Sequence, residues 1–459
     1  MIHPKPAPEE LLRVLPPGTR PLVERVLEAA RRLQVPVYLV GGPVRDFLLG
    51  RALRDVDLIV EEVQGRGALE VALEAAPQEA RLVHHGRFGT VRLETASGGV
   101  DLATVRREQY AHPGALPSVE PGRLEDDLRR RDFTVNALAL PLFPSAPRGK
   151  RGGELGIIDL DQGLSDLEKR ILRVFHPRSF HDDPTRALRA ARFATRLGFT
   201  LSRGARSALR DALRDGAFGR VSGDRLRHEI EKLFEDSQYG LDPAAAMRLL
   251  AEWHVLGALE PGLAFFPSAV APLRRFGRAA LTPPWPRRHL RVWAAGLAVW
   301  LAPLELGIRT RALRRFSVRG ESARRIAGFP KLRDTLLRRL ATERGRGALD
   351  ALLAGLAEED LLALYAWAGT TARRRIVRYA AEDRGRRPPM DGQDLLVLGL
   401  TGPAVGKALA RIRAAYLNGT IRNRDDALAL ARELARHAVK RAAVKRGTGG
   451  AKRANKREI

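Results

Sequence analysis

The spacing of apolar positions changes character twice along the chain. Over 1–34 a polar leader gives way to Leu22, Val23, Val26, Leu27 and Leu33 at near-helical spacing, which predicts one amphipathic helix. From 35 to about 143 the apolar residues gather into short β-branched runs divided by turns, namely VPVYLV, VDLIV, ARLVHH, GTVRLE and GVDLATV. These runs predict a mixed sheet of about five strands with two helices, in the only β-rich part of the sequence. Within it, 106–122 carries Tyr110, Pro113, Gly114, Pro117 and Pro121 and predicts an irregular loop. DDLRRRDFTVNALAL then opens a helix-like segment. Beyond a Pro/Gly-rich linker at 143–156 the pattern is almost wholly helical. A new unit is expected after the linker at 384–389, beginning with GQDLLVLGL. Past about 440, Lys and Arg alternate with Gly and Ala without apolar periodicity, which predicts a disordered basic tail.

Composition narrows the function classes. Lys and Arg number 80 against 53 Asp and Glu, a formal charge of +27, and a polyanionic partner such as nucleic acid follows from that excess. The absence of cysteine excludes disulfides, thiolate zinc sites and cysteine nucleophiles, and fits a cytoplasmic protein. No secretory signal is evident at the start, and the most apolar later run, 292–304, is too short to span a bilayer. A soluble protein with no membrane partner is expected.

The candidate chemistry centres on VGGPVRDFLLGRALRDVDLIV at 40–60. A strand ends in the Gly41–Gly42 turn, a helix follows with Arg45, and a second strand carries Asp55 and Asp57. Residues two apart on a strand share a face, so the two carboxylates project together and need a divalent cation between them. The glycine turn offers backbone N–H groups and a cation to phosphate. Together these predict metal-dependent phosphoryl or nucleotidyl transfer. Asp101, on another strand, is the candidate general base for a ribose hydroxyl. His84 and His85 have no acid or histidine partner at ligand spacing and read as structural or surface residues.

Two further stretches supply binding groups. In DLRRRDFTVN, Arg130 and Arg131 would neutralise a triphosphate, with Asp132 or Asn136 holding ribose hydroxyls. In FHDDPTRALRAARFATRLGF at 180–199, Pro184 suits a first helical turn with Asp182 or Asp183 as cap. Arg186, Arg189, Arg192 and Arg196 recur along one face of that helix. An accepting Asp183 beside a donating Arg186 matches the pairing edge of C and A and leaves unpaired groups against G and U. Further on, Arg225 and Glu229 are spaced to brace neighbouring helices. GPAVGKA is not a P-loop, because it is one residue short and lacks Ser or Thr after Lys407.

LVGGPVRDFLLGRALRDVDLIV, DLRRRDFTVNALAL and DDPTRALRAARFATRLGF, in that order, resemble the class II tRNA nucleotidyltransferases, the superfamily of bacterial CCA-adding enzymes and poly(A) polymerases. The resemblance implies an α/β nucleotidyltransferase head at 1–145 followed by an all-α neck at 146–265, body at 266–385 and tail at 386–438, with the basic stretch at 439–459 disordered. It implies that Asp55 and Asp57 bind Mg²⁺ and that Asp101 completes the carboxylate triad. Gly42, Arg45, Arg131, Asp132 and Asn136 would contact the nucleotide. Asp183 and Arg186 would read its base, with Arg189 and Arg192 as further contacts. The implied activity is addition of all or part of CCA to the tRNA 3′ end from CTP, ATP or both, with pyrophosphate released; the alternatives are an A-adding-only or CC-adding-only specialist, then a poly(A) polymerase, and last a basic RNA-binding protein with an inactive head. The chain departs from the family in having Asp182-Asp183 where Glu-Asp is usual. REQYAHPGALPSVEPG is similar to the form of A-adding members, and His85-Gly86-Arg87-Phe88 lacks the paired basic residues of the polymerases.

Overall fold

The computed structural model describes residues 8–53, 55–85, 89–109, 118–143, 156–285 and 290–437. The expected basic tail, the centre of the Pro-rich loop, Gly86–Phe88 of the His-Gly-Arg-Phe stretch and most of the linker at 143–156 lie outside them. Described residues divide into two compact units, drawn from Met1–Ile230, Ala245–Ala264 and Arg315–Ser317, and from Glu231–Ala244, Phe265–Arg314 and Val318–Ile459.

The first unit begins with helices α1 (Pro8–Val14) and α2 (Arg20–Leu33), then strand β1 (Val37–Val40), α3 (Gly42–Leu48) and β2 (Asp57–Val60). Helix α4 (Ala68–Ala75) leads into β3 (Arg81–His85), β4 (Thr90–Glu94) and β5 (Gly99–Thr104). All five predicted strands are present. Asp55, expected on the strand with Asp57, instead lies in the coil just before it.

The predicted irregular loop is flanked by a two-stranded ribbon, β6 (Arg106–Gln109) with β7 (Ser118–Pro121). The stretch expected to be helical divides in three. Helix α5 (Leu124–Arg129) stops early, a single 3-10 turn covers Thr134–Asn136, and Leu138–Phe143 forms strand β8. The break has a local cause: Phe133 is extended, and the Asp132 carboxylate accepts its N–H at 2.9 Å. Strand β8 then fits between β1 and a short β9 (Ile158–Asp159), so the sheet has seven strands rather than five, in the order β3-β4-β5-β2-β1-β8-β9. Only the β2–β5 pair in this sheet is parallel.

One face of the sheet lies under α2 and α4, whose apolar stripes meet each other and cover Leu58, Val91, Leu93 and Leu102. The opposite face carries Tyr38, Val40 and Ile59 against Leu124 and Leu128 of α5. Side chains alternate along a strand, so Asp57 and Asp101 belong to this second face, two residues from Ile59 and Ala103. The β1–α3 turn that borders it depends on Gly41, which sits at φ +75° and ψ −134°, a region reserved for glycine.

Past the sheet, α6 (Gly163–Glu168), β10 (Ile171–Leu172), α7 (Ser179–Asp182), α8 (Arg186–Leu197), β11 (Thr200–Leu201), α9 (Arg203–Arg214) and α10 (Gly223–Glu235) follow. Strands β10 and β11 pair in parallel, a small exception to the helical expectation. The second unit is helical. Phe234 packs edge-on against Phe276 at 6.0 Å, and Met390, Leu395, Ile412 and Ala431 belong to a separate apolar cluster near the chain end. No helix among the described residues is long and apolar enough to cross a membrane.

A methyl group on Gly41 would meet the Arg131 guanidinium at 2.6 Å as well as a forbidden backbone angle. Gly41→Ala is therefore expected to lower stability by about 1–3 kcal/mol. Chemical denaturation measures this, and an unchanged midpoint would contradict it.

Candidate active site

Three strands bring three charges into line. Asp57 on β2 is the register partner of Asp101 on β5, and Asp101 is in turn the partner of Arg92 on β4. Register partners present their side chains on the same face. Asp55 lies just ahead of Asp57 and is exposed. Arg92 Nη1 reaches Asp101 Oδ2 at 2.7 Å.

Two cations stand beside the glycine turn, the expected Arg45, whose Nη2 would lie 3.5 Å from a Cβ on Gly42, and Arg131. Arg45 is only 2% exposed, and its guanidinium donates to Asp46 at 2.9 and 2.8 Å and to the Asn136 side-chain oxygen. Burial pushes this guanidinium below its ordinary value, and Asp46 opposes that. Arg131 is the group that lies against Gly41. Its anchor is Asp127, a fully buried carboxylate that takes Arg131 at 3.0 Å and Arg130 at 3.0 and 2.6 Å. Burial alone would raise Asp127, and the two guanidiniums more than offset it, holding the group below the usual carboxylate range. Arg131 Nε is buried without a hydrogen-bond partner among the described residues.

Asp132 and Asn136 lie beneath this turn. Asn136 donates to Asp132 Oδ1 at 2.9 Å, and Arg189 of α8 closes on Asp132 Oδ2 at 2.7 and 2.6 Å. Burial would raise the Asp132 pKa, but Arg189, the Asn136 amide and Arg186 together hold it down to about 2. The arginine stripe of α8 thus turns inward rather than to solvent. Arg189 and Arg192 approach Glu229 of α10 at 3.4 and 3.8 Å, and Arg196 pairs with Asp46 at 2.6 Å. Phe193 stands among these guanidiniums, with those of Arg45, Arg189 and Arg192 at 5.2, 5.6 and 5.2 Å from its ring centre.

At the start of α8, Asp183 and Arg186 engage different partners. Asp183 Oδ1 accepts the Thr185 N–H at 3.0 Å, the Thr185 hydroxyl at 2.6 Å and Arg225 at 2.7 Å, which leaves Oδ2 to the site. Arg186 is buried and donates to Ser179 Oγ at 2.5 Å and to the Arg130 carbonyl at 2.9 Å. Asp182 sits 3.6 Å from His176, whose pKa burial lowers. Arg225 and Glu229 do brace neighbouring elements, each reaching residues of the α7–α8 segment. His84 is exposed on β3.

The sequence does not single out Asp127, Phe193 or Arg92. The i, i+4 spacing of Asp127 and Arg131 was one available signal. The partners of Arg196 and Arg189 had none, because they are far away along the chain.

Residues 37–173 match the family model described as the poly A polymerase head domain. An A-adding tRNA nucleotidyltransferase of Halalkalibacterium halodurans is 31% identical over 428 residues, 91% of this chain and 92% of that protein. The chain belongs to the tRNA nucleotidyltransferase family. An A-adding member from Geobacter sulfurreducens is 31% identical over 437 residues, 92% of this chain, which spans 48% of that longer protein. The solved apo form II of a CCA-adding enzyme superposes with a TM-score of 0.69 at 30% identity, covering 92% of this chain and 97% of its own.

Transfer chemistry in this family of enzymes is generally metal-dependent. Asp55, Asp57 and Asp101 fit a hard divalent cation in kind, since such ions take carboxylate oxygens. Among the described residues no three acids or histidines are gathered closely enough to hold an ion as they stand, and Asp101 is turned to Arg92. Strand register brings Asp57 and Asp101 to one face, and an ion held there would need their side chains to close on it.

Because the Asp132 pKa falls from 3.8 unfolded to about 2 folded, its contribution is complete above 3.8 and disappears as pH drops towards 2. The depressed carboxylate is worth on the order of 2 kcal/mol. Asp132→Asn should therefore be less stable than wild type near neutrality, with the gap closing as pH falls through that window. Denaturation midpoints across pH measure this, and a gap independent of pH would contradict it.

Proposed function

We propose that this chain transfers a nucleotidyl group from ATP or CTP to the 3′ hydroxyl of tRNA and releases pyrophosphate. The observation that carries this reading is the register pairing of Asp57 with Asp101 on parallel strands, with Asp55 beside them. Asp55 and Asp57 would hold Mg²⁺, which supplies charge neutralisation and lowers the pKa of the attacking hydroxyl. Asp101 would accept the proton from that hydroxyl as the O–P bond forms and the pyrophosphate oxygen leaves.

Arg131, steadied by Asp127 and lying against the Gly41–Gly42 turn, would take the triphosphate. Arg45, Asp132, Asn136, Arg189 and Arg192 act behind it: paired with one another or with Asp46 and Glu229, they hold the turn and α8 in one arrangement. The open Oδ2 of Asp183 would accept the exocyclic amino group of C or A, with Arg186 opposite the ring nitrogen. Arg225 and Thr185, by fixing Oδ1, would leave Asp183 one orientation in which to do so. The work belongs to tRNA maturation, and so to the cytoplasm.

Addition of the terminal A alone is the favoured form of the activity, because the two relatives described above, each matched along more than nine-tenths of this chain, are A-adding members. Completion of CCA is the second form, supported by the likeness to the CCA-adding enzyme over 92% of the chain.

The test uses tRNA transcripts ending before CCA, after the first C and after the second C, each incubated with Mg²⁺ and ATP or CTP. One A added only to the transcript ending in CC is the expected product. Extension of all three to CCA would establish the complete activity. No extension of any transcript would overturn the proposal.

A further inference from the structure

Asp101 shares its side of the sheet with a cation already built into the chain. Arg92 is half-exposed, with a side chain 43% accessible against 35% for Asp101, and projects from the strand next to it. The guanidinium takes one carboxylate oxygen, Oδ2, and also lies 3.9 Å from Glu94 on its own strand. On the other side of Asp101 stands Asp57, its register partner. The row across β4, β5 and β2 therefore reads cation, base, metal ligand.

A second observation shows how the arginine reaches that position. Gly99 lies on β5 two residues before Asp101, on the same face. A Cβ built on Gly99 would stand 3.1 Å from Arg92 Nη2 and 3.4 Å from its guanidinium carbon. The guanidinium thus passes directly over the glycine backbone, along a path that any other residue at 99 would crowd.

We propose that Arg92 is a positioning residue for Asp101. It holds Oδ2 toward β4, away from Asp57, and leaves Oδ1 to the site. The carboxylate is thereby kept from becoming a full ligand of the divalent cation and stays oriented to accept the proton of the attacking hydroxyl. The inference rests on the nucleotidyl-transfer reading and adds a residue to it. Without Arg92, Asp101 would lose the guanidinium that draws Oδ2 toward β4 and could close on the divalent cation.

Two readouts follow, one of them free of turnover. Removing an exposed competing charge should tighten binding of Mn²⁺ to the substrate-free protein by about threefold in Arg92→Ala, read by electron paramagnetic resonance of free Mn²⁺. At saturating metal the same variant should lose about tenfold in kcat, a part of what a general base supplies, with KM for the nucleotide unchanged. Arg92→Lys, which keeps a charge and one donor, should recover most of both effects. Gly99→Ala, which crowds the guanidinium without removing it, should shift both in the same direction by less. The melting temperature of Arg92→Ala should match wild type, because the side chain is outside the core.

Wild-type Mn²⁺ affinity and kcat in Arg92→Ala, beside an active wild type, would overturn this inference alone. A raised KM with unchanged kcat would also overturn it, by making Arg92 an ordinary substrate contact. A wild type that extends no transcript would instead fail the functional reading itself.

Discussion

The first unit depends on burying arginines. Arg45, Arg186 and Arg192 are all under a tenth exposed, with Arg189 and Arg196 half-buried beside them. A guanidinium removed from water is costly unless a carboxylate and hydrogen bonds replace its hydration. Here the replacements come from three separate regions: Asp46 from α3, the Arg130 carbonyl and Asp132 from the end of α5 and the turn after it, and Glu229 from α10. Phe193 fills the space between the charges with a ring whose faces attract cations. Removing any one acid leaves an uncompensated cation indoors, so the sheet and α8 are held in a single relative arrangement within this unit.

That constraint divides the labour. The sheet displays carboxylates on the face opposite α2 and α4, where strand register sets their spacing. Helix α8 and its leading turn display Asp183, whose Oδ1 is already committed and whose Oδ2 is not. The pairs Arg189–Asp132 and Arg196–Asp46 tie the second group to the first. A side-chain template that selects a base would require this rigidity, because one that moves by an ångström would accept either pattern of donors and acceptors.

Much of this was legible in the sequence. The five β-branched runs all became strands, since each satisfies a period of two or an apolar run of strand length. The carboxylates of the sheet and the two arginine-bearing stretches that the fold brings together were singled out from residue type and spacing. Strand β8 was missed because LALPLF lacks a β-branched residue, and two flanking strands impose its conformation. Pro141 within it was a signal against helix. Asp55 was placed on a strand that begins only at Asp57. The inward turn of the α8 stripe was invisible for another reason: its counter-charges lie at Asp46, Asp132 and Glu229, and no local pattern announces a pairing made only by folding.

On the proposed reading, the carboxylate row performs the transfer chemistry and tRNA is held elsewhere, by the chain's excess of cations. The direct measurement compares wild type with the combined Asp55→Ala and Asp57→Ala variant, reading tRNA affinity and nucleotide incorporation on the same preparations. Incorporation should be lost with tRNA affinity retained, since neither residue belongs to the buried arginine network. Incorporation that persists in the variant would contradict it.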